Sequence, residues 1–227
     1  MAFPSPRTEK VWSHFQRDLS SDVVDVLASM PDIFLVLDAS EYVVQQCQRH
    51  PGMVIGLYQE GLLERSYVNG DLRAQLITVL DDVEDELQLS KALRSFRRQQ
   101  MVRIIWRDLA RNAGLNETLE DLSELADVCV DEAVKLLFSW AIKKSGMPRD
   151  ADGNAQELIV IGMGKLGARE LNLSSDIDLI FAYPERGQTD GARPLDNEQF
   201  FTRLARQVIK AIGEITAEGF VFRVDTR

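Results

Sequence analysis

The sequence predicts an α+β protein: a mostly helical region over residues 1–153, then a mixed-sheet core over residues 154–227. Three observations carry that expectation. From residue 8 to about 145, apolar side chains recur at intervals of three and four, the period of a helix face. Two short apolar runs, LIVI at 158–161 and LIFAY at 179–183, have the length and β-branched content of buried strands. Between these regimes, residues 148–155 are polar and begin with proline, which reads as a linker and sets the domain boundary.

Each element has a local reason. Ser20, Ser21 and Asp22 cap a helix over 23–30, which Pro31 stops. A helix over 42–49 breaks at His50-Pro51-Gly52. After the Asn69-Gly70 turn, a helix over 71–87 carries Asp81, Asp82, Glu84, Asp85 and Glu86, a run that reads as a solvated face. Residues 91–110 are its basic counterpart, with Arg94, Arg97, Arg98, Arg103 and Arg107 beside an apolar stripe. Those arginines either pair with the acidic helix or form a surface for an anionic ligand or partner. A further helix over 116–144 is capped near Thr118 and ended by Gly146-Met147-Pro148. Beyond the second strand, residues 184–194 form a polar loop, 196–217 a helix, Gly219 a turn and 220–227 an alternating strand.

Composition narrows the class. With 45% apolar and 27% charged residues, the chain is ordinary for a soluble globular protein. A net charge of −10 argues against nucleic acid, whose binding rests on basic contacts to phosphate. No apolar segment is long enough to span a membrane, and the N-terminus lacks the apolar core of a signal peptide. Cys47 and Cys129, far apart, fit buried free thiols in a reducing cytoplasm. The two histidines, His14 and His50, form no catalytic triad and no zinc pattern.

Residues 157–183, ELIVIGMGKLGARELNLSSDIDLIFAY, hold the chemistry. Gly162, Gly164 and Gly167 spell GxGxxG after a strand, the fingerprint of dinucleotide binding. The segment from Gly167 to the next apolar run is too short for a full helical crossover, and its acids start the strand rather than end it. No Gly-Lys-Ser/Thr follows, so the P-loop pattern fails. On a strand, Asp176 and Asp178 project to one side while Ile177 and Leu179 face a core. Two adjacent carboxylates repel, and a divalent cation removes that conflict. Asp225 on the last strand is the third carboxylate, although a salt bridge to Arg223 is an alternative duty for it. A short helix over 165–171 would offer backbone N–H groups to phosphate. Lys165 is either a point charge for that phosphate or an exposed loop lysine, and Ser174 and Ser175 either donate to phosphate or cap the strand entry.

The apolar-Gly turn followed by acid-apolar-acid-apolar and a third acid resembles the nucleotidyltransferase pattern, with its polymerase-beta-like mixed sheet. More narrowly, GMGKLGARELNLSSDIDLIFAYPE resembles the signature of the glutamine synthetase adenylyltransferases. NEQFFTRLA at 197–205, TAEGFVFRVDTR at 216–227 and RQQMVRIIWRDL at 98–109 agree with it. Ala168 and Thr226 depart from the usual Gly/Ser and Met. The resemblance implies Asp176, Asp178 and Asp225 as catalytic residues and ligands of Mg²⁺ or Mn²⁺, with Gly164, Lys165, Gly167, Ser174 and Ser175 at the nucleotide. It implies two activities in one long polypeptide: AMP transfer from ATP to a tyrosine of glutamine synthetase, and its removal by phosphorolysis to ADP. ELNLSSDIDL is nearer the N-terminal, adenylyl-removing version. The partners implied are glutamine synthetase and a PII signal protein. Ending at Arg227, just past Asp225, the sequence is expected to be a piece truncated at its C-terminus. A non-catalytic helical interaction module is the reading outside enzyme chemistry.

Overall fold

The computed structural model describes residues 5–226. The chain runs through helices α1 (Pro6–Asp18), α2 (Ser21–Ser29), α3 (Ile33–Ala39), α4 (Glu41–Arg49), α5 (Pro51–Gln59), α6 (Asp71–Leu80), α7 (Glu86–Leu109) and α8 (Leu115–Ser145). Then come β1 (Pro148–Arg149), β2 (Ile159–Met163), the single turn α9 (Gly164–Gly167), β3 (Ile177–Ala182), β4 (Gln188–Thr189), α10 (Asn197–Gly213) and β5 (Val224–Thr226). The architecture is α+β, as its apolar periods predict.

Two compact units divide the chain, and the division differs from a boundary at 153. One holds the residues up to Val68 with Arg98–Asp121; the other holds Asn69–Arg97 with Leu122–Arg227. The reason is that α7 and α8 are long enough to serve in both. Residues 148–155 are also not a loose linker. β1 pairs antiparallel with β4, and Arg149 Nε donates to Asp190 at 2.6 Å.

The first unit is a helical cluster around Trp12, Phe15, Leu27, Leu37, Val43 and Leu57, all buried. Ser5 caps α1, its Oγ accepting from the Thr8 N–H at 3.2 Å. Pro51 opens α5 rather than merely ending α4, because proline at the first helical position loses no intrahelical bond. Two buried arginines of α7 tie this unit together. Arg103 donates to Asp121 at 2.6 Å and to the Arg65 carbonyl at 2.8 Å, and lies 3.4 Å from the Tyr67 ring centroid. Arg107 donates to Glu117 at 2.5 Å, to Ser66 at 2.9 Å and to the carbonyls of Glu64 and Asn112. These arginines serve neither the acidic helix nor an open anion surface; they satisfy loop carbonyls and the start of α8.

In the second unit the acidic run breaks the helix expected over 71–87. α6 stops at Leu80, and Asp85 accepts from the Gln88 N–H at 2.8 Å while Gln88 Oε1 accepts from the Glu84 N–H at 3.0 Å. The first bond is a side-chain N-cap for α7, and the second fastens the residue ahead of it. Arg73 of α6 pairs with Asp131 at 2.5 Å and with Glu132 of α8. Arg94 donates to the carbonyls of Gly219 (3.0 Å) and Glu214 (2.8 Å), fixing the turn before β5. α10 buries Phe200, Phe201, Leu204, Val208 and Ile212.

Candidate functional site

The sheet of the second unit has the order β2-β3-β5, with β2–β3 antiparallel and β3–β5 parallel. An antiparallel β2–β3 pair joined by one helical turn cannot be the parallel crossover of a dinucleotide fold, so GxGxxG has another meaning here. Each glycine meets a close neighbour. A Cβ on Gly167 would stand 2.6 Å from the Gly162 carbonyl oxygen, and one on Gly164 would stand 2.9 Å from Asp178 Oδ2. A Cβ on Gly162 would press on Leu166 at 3.0 Å. Leu166 is buried, and the turn folds back so tightly that a side chain at 167 would meet the backbone of β2. Ala168 is right-handed, with φ −86°, so it costs this turn nothing.

Alternation on β3 follows expectation. Ile177 and Leu179 are buried, Asp178 is half-buried and Asp176 exposed. In the ladder, Asp178 is the register partner of Met163 on one side and of Asp225 on the other. Partners share a face, so Asp178 and Asp225 lie together on the open side of the sheet, alongside Ile159, Ile161 and Met163, each at least 40% exposed. Like charges opposite one another on adjacent strands are destabilising unless something offsets them. Asp176 is engaged elsewhere: Arg223 Nε donates to its carboxylate, while Arg223 Nη2 donates to the Ser174 carbonyl at 2.9 Å. The salt bridge from Arg223 therefore goes to Asp176, not to Asp225.

The segment expected to cradle phosphate differs from expectation in one respect. α9 is a single turn ending at Gly167, too short to present a helix terminus to an anion. Residues 172–175 instead fold around Asn172, whose Oδ1 accepts from Ser174 N at 3.2 Å and from Ser175 Oγ at 2.9 Å. Asn172 was not among the residues singled out in the sequence; an Asx-type turn ahead of Ser-Ser is the signal that would have found it. Lys165 Nζ lies 3.5 Å from Ser175 Oγ, so the lysine and this serine sit side by side.

A divalent ion suits this site by donor chemistry: three carboxylates are hard oxygen ligands, and glycine at 164 leaves room beside Asp178. As they stand, no three His, Cys, Asp or Glu side chains among the described residues converge enough to hold one. Asp178 and Asp225 are brought together; Asp176 is turned to Arg223. A cavity of about 810 Å³ lies past the far end of β3, lined by Tyr183, Arg186, Asn197 and Arg203 among others. None of the three aspartates lines it. The cysteines stand outside the chemistry. Burial alone pushes Cys47 up to about 12, and burial, against a small opposing effect of Arg97, does the same to Cys129. No helix among the described residues is long and apolar enough to cross a membrane.

A mixed sheet with a glycine-built turn and aspartates on adjacent strands is the arrangement expected of a nucleotidyl-transferring core. Residues 30–227 match the family described as glutamate-ammonia ligase adenylyltransferase, and the chain belongs to that family. It is 51% identical over 200 residues to a protein of Pseudomonas aeruginosa, covering 87% of this chain and 20% of that one. A Thioalkalivibrio sulfidiphilus protein is 50% identical over 179 residues (79% and 18%), and a Nitrosococcus oceani protein 46% over 220 (95% and 23%). All three are named bifunctional glutamine synthetase adenylyltransferase/adenylyl-removing enzyme. The chain spans about a fifth of the length of these relatives.

Proposed function

We propose that this chain carries the adenylyl-removing activity: phosphorolysis of the AMP–tyrosine bond of glutamine synthetase, in the cytoplasm. The observation that supports it most is the Asp178–Asp225 register pair beside the glycine turn, in a chain half identical to enzymes named for both reactions. An oxygen of inorganic phosphate attacks the AMP phosphorus, the bond to the tyrosine oxygen breaks, and ADP and tyrosine form. The tyrosine oxygen leaves with the electron pair and takes a proton from solvent. Phosphate is already anionic near neutral pH, and a phenol with pKa about 10 is a tolerable leaving group, so no tuned histidine is required.

Asp178 and Asp225, with Asp176, would hold Mg²⁺ or Mn²⁺. Such an ion, when bound, supplies charge neutralisation at the transferring phosphoryl group. Lys165 brings a cation to the phosphate side of the turn, beside Ser175, whose hydroxyl donates to Asn172 and accepts from the lysine. Ser174 enters through its backbone, which Arg223 anchors. Glutamine synthetase is the substrate, and a PII signal protein is the regulatory partner that the family resemblance implies.

The test incubates this chain with adenylylated glutamine synthetase, phosphate and Mg²⁺, and follows AMP lost from the protein and ADP formed. Phosphate-dependent ADP that disappears in Asp178→Asn is the expected result. In a parallel incubation with ATP and unmodified glutamine synthetase, pyrophosphate release with AMP gained by the protein would favour adenylyl transfer instead. Neither reaction, together with retained binding of glutamine synthetase, would favour a non-catalytic interaction module.

A further inference from the structure

The register that sets Asp178 against Asp225 places Arg223, just ahead of β5, beside Asp176. Arg223 is tied to the Asp176 region three times. Its Nε donates to the Asp176 carboxylate, its Nη2 donates to the Ser174 carbonyl at 2.9 Å, and its own carbonyl accepts from the Ile177 N–H at 2.9 Å. One guanidinium thus fastens both the carboxylate and the backbone that leads into β3. The two side chains are 57% and 43% exposed, so water competes for the pair and it can exchange.

We propose that Arg223 is a positioning residue that shares Asp176 with the divalent cation. In the structure the guanidinium holds the Asp176 carboxylate at the edge of the sheet face. When a cation takes Asp176 together with Asp178 and Asp225, Arg223 gives the carboxylate up and keeps the Ser174 carbonyl. This rests on the metal-dependent reading above. It accounts for an otherwise awkward pair of facts: the aspartates share one end of one sheet, yet no three acids converge among the described residues. Two cations drawn to one carboxylate repel each other, so whatever holds Arg223 on Asp176 must be overcome for the ion to bind. Arginine suits the duty because its planar fork reaches two acceptors at once, which a lysine ammonium on the same backbone does less well.

The experiment is a Mn²⁺ titration of this chain, reading free Mn²⁺ by electron paramagnetic resonance, with circular dichroism as the check on folding. Arg223→Gln is expected to bind Mn²⁺ several-fold more tightly than the unsubstituted chain, with Arg223→Lys in between. Asp176→Asn is expected to bind more weakly, and adding Arg223→Gln to it should restore nothing. An unchanged or weakened affinity in Arg223→Gln overturns the proposal while leaving the metal reading in place. So does equal tightening in the Asp176→Asn background, which would mean that net charge alone is at work. If the unsubstituted chain and every variant bind no Mn²⁺, the proposal and the metal reading fall together.

Discussion

The absence of a side chain at Gly164 leaves room for the Asp178 carboxylate. The residue has φ +55°, and a Cβ there would stand 2.9 Å from Asp178 Oδ2. Gly164→Ala therefore combines a left-handed alanine, costing about 1 kcal/mol, with a crowded Asp178 carboxylate. We expect a lower urea midpoint and weaker Mn²⁺ binding; full Mn²⁺ affinity in this variant would show that the close approach has no role. Asp38 is a second single-residue case, remote from the site. Hydrogen bonds from Ser5 and then Thr8 hold its carboxyl below the usual carboxylate range. A depressed native pKa adds stability above the unfolded value and loses it as pH falls through the native one. Asp38→Asn should thus flatten the acid limb of a stability-against-pH curve below about pH 4, read by urea unfolding at several pH values. An acid limb as steep as in the unsubstituted chain would remove Asp38 from the account. Neither case was visible in the sequence, because both depend on contacts between residues distant along the chain or on a backbone angle.

Among the elements, α7 shows what periodicity reveals and what it hides. Its helical character was legible from its apolar stripe, but its arginines were not, since an arginine on a buried face looks the same in sequence as one in solvent. Arg103 is fully buried against Asp121, whose pKa desolvation raises despite the guanidinium. Arg103→Ala leaves that carboxylate dry and without its cation, which should cost about 3–5 kcal/mol. The paired replacement Arg103→Met with Asp121→Leu should recover much of the loss, because an apolar pair needs no partner. Urea unfolding of both variants decides; equal destabilisation would mean that packing rather than charge is at stake. The α6–α7 break was readable in principle from Asp-x-x-Gln at 85–88, a capping signal masked by the acidic run around it. β1 and β4 were not readable: two-residue strands have no period, and only pairing across the loop creates them. The helix expected over 165–171 is a single turn ending at Gly167, which lies against the Gly162 carbonyl.

For the whole molecule, the order of apolar periods was enough to predict a helical region followed by a small mixed sheet. The spacing of Asp176 and Asp178 was enough to place Asp178 on the open face. What sequence could not supply is the strand pairing, and pairing is what brings Asp225 to Asp178 and Arg223 to Asp176. The compact units also escaped it, since α7 and α8 give residues to both. The central claim is phosphorolysis at the Asp178–Asp225 face, and the fate of the phosphate tests it most directly. With ³²P-labelled inorganic phosphate, adenylylated glutamine synthetase and Mg²⁺, the label should appear in the β-phosphate of ADP, and not with Asp178→Asn. Label that stays in inorganic phosphate while the tyrosine keeps its AMP, or loses it as free AMP, would contradict the claim.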